Sequence, residues 1–141
     1  MRQYQDATKT MNRILQNIFK SENREDRIRN SGLKLALRWG DEWMQPIQER
    51  LKQKFPNLTS SELDEHDLLC TQARNHGQNY IFDTLRKATD DGIQLSEKAF
   101  KKQFKDFVKN TYPWVNNSNL NSIFSQGMYY AWKDGFDRCL K

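Results

Sequence analysis

No stretch of this 141-residue sequence approaches the run of about 20 apolar residues that a membrane-spanning helix needs. Breakers are scarce as well: three prolines and six glycines leave room for long, uninterrupted elements. No segment sustains the apolar–polar alternation of a half-buried strand, which removes sheet architectures from consideration. Cysteine is limited to Cys70 and Cys139, and parity alone would permit one disulfide. The opening MRQYQDATKT is polar and lacks the apolar centre of a secretory signal, so a reducing, cytoplasmic setting with two thiols is expected. On the same ground the glycosylation matches at Asn57 and Asn116 are set aside.

What is present is aromatic and basic. Eight Phe, five Tyr and four Trp are too many for a disordered chain, and they are expected to supply much of a modest core. The length fits one domain, expected to span 1–141. The formal net charge is +5, unevenly placed: residues 1–30 carry +3, 31–56 +2, 57–92 −4 and 93–141 +4. A basic total favours an anionic partner, whereas the acidic third segment argues against a uniform coat on a nucleic acid.

The apolar periodicity is helical throughout. Tyr4, Ala7, Met11, Ile14, Leu15, Ile18 and Phe19 mark one face of a helix over 4–20. A second stripe runs from Ile28 through Gly32, Leu35, Trp39, Trp43, Ile47 and Leu51 to Phe55. Its unbroken phase favours a single helix over 27–55, kinked at Pro46. A break at Gly40-Asp41, with Pro46 in the first turn of a second helix, is the other reading. Pro56 closes this element. Thr59-Ser60-Ser61-Glu62 has the form of a capping box and opens a helix over 60–89, stopped by Asp90-Asp91-Gly92. Ser96 is the expected cap of a helix over 97–110. The Asn/Ser-rich 116–121 reads as a loop leading to a cap at Ser118 and a last helix over 119–138. The sum is an all-α fold, a compact orthogonal or bundle-like array of five or six helices. Gly77 and Gly127 each precede a tyrosine by three residues in mid-helix, which suggests a close crossing of the 60–89 helix with the last one.

Several constellations bear on function. Lys98, Lys102, Lys105 and Lys109, with Lys101 alongside, line one face of the 97–110 helix opposite Phe100, Phe104 and Phe107. Such a row can neutralise successive phosphates or lie on an acidic membrane surface, and it also suits a plainly solvated face. That helix has no Arg, and its only amides are Gln103 and Asn110, so base readout from it is not expected. Arg24, Arg27, Arg29, Lys34 and Arg38 are diluted by Glu25 and Asp26, and local ion pairs account for them. His66, Cys70 and His76 include zinc-ligand atom types, but two residues on one face do not close a site, and no metal or cofactor is expected. A calcium loop centred on Gly92 would need ligands where Lys87 and Lys98 stand. Ser61, Ser96, Ser118 and Ser125 have capping or surface roles, and His66–Cys70 is the one nucleophile–base pairing at helical spacing. Tyr129, Tyr130, Trp132 and Lys133 form the best candidate for contact with a protein partner or a second copy of the chain. Protein binding is therefore the leading expectation. Electrostatic nucleic-acid binding through the lysine face is the alternative, and a small helical enzyme the third.

Overall fold

The computed structural model describes residues 9–10 and 23–141. Of the helix expected over 4–20, only residues 9 and 10, both helical, fall among them; the rest lies outside the described residues. The described chain is all-α: α1 (Arg24–Ala36), a 3-10 turn (Gly40–Glu42), α2 (Gln48–Lys54), α3 (Ser60–Asp90), α4 (Glu97–Thr111), α5 (Asn117–Lys133) and a second 3-10 turn (Phe136–Cys139). The only extended pairing among these residues is an isolated bridge between Leu95 and Leu140, which fixes the chain end beside the α3–α4 link. Among the described residues, no helix is long and apolar enough to cross a membrane.

The helices form a compact array around α3, whose 31 residues span about 46 Å. Its start is set by local chemistry. The Thr59 hydroxyl accepts from the Glu62 amide at 3.1 Å, and the Glu62 carboxylate accepts from the Thr59 amide at 3.0 Å. Those bonds hold the Glu62 carboxyl below its ordinary range. α3 packs against α1, α2, α4, α5 and the last 3-10 turn.

Its crossing with α5 is reciprocal. A Cβ on Gly77 would stand 2.5 Å from Ile123 Cγ2, and one on Gly127 would stand 2.6 Å from Ile81 Cδ1. Each helix therefore seats an isoleucine of the other over a bare glycine, in agreement with the crossing that the paired glycines suggest. Around this contact Ile81, Leu85, Phe100, Phe104, Leu120 and Ile123 are almost fully buried.

The expected long helix over 27–55 is not formed. α1 ends at Ala36, Gly40 and Met44 take left-handed backbone conformations at φ 87° and 66°, and α2 starts at Gln48. Pro46 therefore lies outside both helices, before the Ile47 cap, and imposes no kink. The stripe keeps its phase for another reason. Gly32 of α1, Ile47 at the cap of α2 and Leu51 within α2 come together beside Cys70 of α3, so both segments bury their apolar side in one place. Arg50 organises the connection: its guanidinium donates to Glu42 at 3.1 Å and to the carbonyls of Gln45, Pro46 and Leu35.

The last helix is displaced from its expected bounds. Asn116, rather than Ser118, caps α5 by accepting from the Asn119 amide at 2.9 Å; Asn and Ser are comparable caps, and the first to complete the bond wins. At the far end, Gly135 at φ 81° stops the helix, so 136–139 form a 3-10 turn instead of its last turn.

Candidate functional site

The end of α1 is where the candidate surface is built. A helix leaves its last carbonyls without intrahelical partners, and its C-terminus carries partial negative charge. Here three side chains from three helices meet those carbonyls: Arg50 of α2 at Leu35, Arg74 of α3 at Ala36 (3.2 Å), and Gln126 of α5 at Leu37. Gln78 of α3 in turn donates to Gln126 at 2.8 Å. Arg74 is 4% exposed. Burial lowers its pKa from the ordinary value, opposed by the Asp67 carboxylate. Its guanidinium lies 5.3 Å from the centre of the Trp43 ring.

That anchored Trp43 is the floor of an aromatic cluster. Trp39 stacks on it with centroids 4.8 Å apart and meets Tyr129 edge-on at 5.8 Å and Tyr130 at 6.1 Å. Tyr129 meets Trp132 at 6.0 Å. The rings form one continuous patch, yet Trp39 is 51% exposed, Tyr129 46% and Trp132 62%, with Met44 nearby in sequence at 61%. Tyr130 is half-buried between the patch and a shallow groove of about 400 Å³ that also takes in Gln78, Asn79, Phe82, Lys133 and Asp134. A second groove, of about 340 Å³, separates Arg38 and Trp39 from Asn121, Ser122 and Ser125.

The expected protein-contact residues Tyr129, Tyr130, Trp132 and Lys133 are thus together on one end of α5. Trp39 and Trp43 complete the patch, although the apolar stripe places them on the buried side of a long helix. The Gly40-Asp41 break is the signal that removes them from it.

The lysine row is real as geometry. Lys98, Lys102 and Lys109 are exposed, Lys105 is half-buried, and Lys101 bends over the Phe124 ring at 5.3 Å. Phe100 and Phe104 face inward, and Phe107 stacks on Tyr80 at 4.3 Å. Arg29 pairs with Asp26 at 3.0 Å and Arg38 with Glu42 at 3.3 Å, the local ion pairs expected of that segment.

His66, Cys70 and His76 do not converge. Cys70 is buried and donates to the Arg29 carbonyl at 3.5 Å, while His76 Nδ1 lies 2.7 Å from the Tyr112 hydroxyl. No group of three His, Cys, Asp or Glu residues is arranged for a metal ion among the described residues. Burial, with Asp67 adding to it, pushes the Cys70 thiol up to about 12. A His66-activated thiolate is therefore not what this site holds. The same shift carries a stability consequence. An unfolded thiol ionises near 9.0, so the contribution of Cys70 is whole below that pH and is lost as pH rises towards 12. Tyr112, also raised by burial, acts in the same direction. Denaturant midpoints measured from pH 8 to 11 are expected to fall, and Cys70→Ala is expected to flatten that fall while Tyr112 supplies the remainder. An equal slope in the variant would refute the assignment.

Compared with known proteins, the chain matches no family model, no curated protein and no solved structure.

Proposed function

We propose that this chain is a binding module whose contact surface is the aromatic face at the end of α1 and α5, and that its partner is a protein. The observation that carries the reading is the continuous patch of Trp39, Tyr129 and Trp132, each about half exposed and held from beneath by Trp43 and Arg74. Large exposed rings on a fixed base gain contact area on binding with little further loss of side-chain freedom. The rim is of mixed sign: Arg38 and Lys133 stand beside Asp41, Glu42 and Asp134. An apolar centre with a mixed polar rim is the anatomy of a protein interface, whereas a polyphosphate would meet those carboxylates unfavourably. Three exposed rings are few beside the roughly 800 Å² per partner of a stable complex, which favours a transient partner over a permanent dimer. A cytoplasmic setting belongs to this reading, supported by Cys70 and Cys139 both being buried free thiols.

The test installs a photo-crosslinking amino acid in place of Trp132 and, separately, in place of the remote Lys52. Discrete protein adducts from position 132 alone are expected, and an adduct of twice the chain mass would identify a second copy. Against the purified partner, Trp39→Ala and Trp132→Ala should each weaken binding by about tenfold or more. Adducts equally frequent at position 52, or affinities unchanged by both substitutions, would defeat the reading.

A further inference from the structure

The other end of α5 differs from its aromatic end. No carboxylate occurs between Asp106 and Asp134, so α5 carries no acidic residue. Its outward residues in the first half are small and polar: Asn117, Ser118, Asn121 and Ser125 are exposed and Ser122 half-exposed. α1 runs parallel along one side, held by Asn119 against Asn30 and Gln126 against Leu37. α4 lies along the other, with Phe104 5.4 Å from Phe124 and Lys101 over the same ring. The basic residues of both neighbours therefore frame α5: Arg27, Lys34 and Arg38 on one side, the lysines of α4 on the other. Asp26, at the edge of this face, is tied to Arg29, and Arg38 is shared with Glu42.

We propose that this face binds duplex nucleic acid, with the first half of α5 in the major groove and the two basic rows on the flanking phosphates. Packed helices lie about 8–10 Å apart, so rows on the two neighbours of α5 stand on the order of 20 Å apart, wide enough to reach both backbones of a duplex. A single strand would follow one row. A membrane is disfavoured because the exposed residues in the first half of α5 are Asn and Ser, with no apolar side chain among them to bury in lipid. Major grooves admit a helix, and Asn and Ser side chains of the kind at 117, 118, 121 and 125 can pair with base edges. The proposed face adjoins the aromatic contact along the groove between Trp39 and Asn121 and shares Arg38 with its rim, so the variants below leave Arg38 in place.

The experiment measures anisotropy of a labelled short random duplex with the full chain across a salt series, the fold of each variant being checked by circular dichroism. Binding is expected at low salt and should weaken steeply as salt rises. Lys105→Gln/Lys109→Gln and Arg27→Gln/Lys34→Gln should each lower affinity by about tenfold and reduce the salt slope by roughly one for every phosphate no longer neutralised. The equally charged pair Lys52→Gln/Lys54→Gln, on α2, should do neither. Trp132→Ala should leave duplex binding unchanged. Asn121→Ala should keep the random-duplex affinity and lose any sequence preference selected from a duplex pool. Three results would overturn the proposal: no salt-sensitive duplex binding, equal losses from the α2 control pair, or tighter binding of a single strand or of polyglutamate than of the duplex.

Discussion

Asn30→Ala is expected to cost about 3 kcal/mol of stability. Asn30 is 4% exposed and uses both ends of its amide. Its nitrogen donates to the carbonyls of Asp26 (3.0 Å) and Trp114 (2.7 Å); its oxygen accepts from the Asn116 amide (2.9 Å) and from Asn119 Nδ2 (3.0 Å). Asn119 Nδ2 also reaches the Asn30 carbonyl at 3.0 Å. Alanine removes one partner from each of four groups where little water can replace it. An intact hydrogen bond contributes only about 1 kcal/mol net, but stranding a buried group costs about 1–3 kcal/mol, which is why the loss exceeds that of an ordinary surface bond. The effect should appear as a lower urea midpoint at unchanged m-value, with faster amide exchange at Asn116. A loss below about 1 kcal/mol would mean that water takes over the junction.

Gly77→Ala and Gly127→Ala should each destabilise by about 2 kcal/mol, against the propensity trend. In an exposed helix, alanine in place of glycine gains about 1 kcal/mol. Here the new methyl meets Ile123 Cγ2 at 2.5 Å, or Ile81 Cδ1 at 2.6 Å and Ile81 Cβ at 3.1 Å. A β-branched side chain on a helix has one strongly preferred χ1, so neither isoleucine can swing aside without leaving its rotamer. Overpacking of this kind costs about 1–3 kcal/mol and forces α3 and α5 apart. The sign is decisive: a gain in thermal stability for either variant would show that the two helices do not meet at these glycines. Truncating the opposing residue, as in Gly77→Ala/Ile123→Ala, should recover part of the loss through a negative coupling energy.

Features governed by neighbouring residues were legible in the sequence. The Thr59–Glu62 box, the Ser96 cap and the Gly92 stop need only a few consecutive residues, and they fall where expected. The glycine pair was legible because a mid-helix glycine carries an energetic cost that only a close neighbour offsets. The end of α1 was not. Its stripe reads as one helix through Phe55, and what divides it is tertiary: the left-handed turns at Gly40 and Met44, Arg50 folding back on the connection, and α3 receiving both segments beside Cys70. The continuous stripe hides Trp39 and Trp43, two of the five rings of the aromatic patch. Arg74 escapes notice because the partners that give it a role at the end of α1, the Ala36 carbonyl and the Trp43 ring, lie on other elements. The lysines of α4 stand out in the sequence at once, while the basic row across α5 becomes visible only with α1 and α4 in place on its two sides.

The polar closure of α1 also bears on the order in which the molecule is assembled. Asn30 waits for partners 84 to 89 residues further along, and Leu37 for an amide 89 residues away. An α-helical array built by neighbour-to-neighbour hairpins would complete such contacts early. Here the first long helix of the described chain stays without its full set of partners until α5 has docked. Such distant closures raise contact order and slow folding relative to simple up-and-down bundles. They also make the last third of the chain the clasp that registers the first.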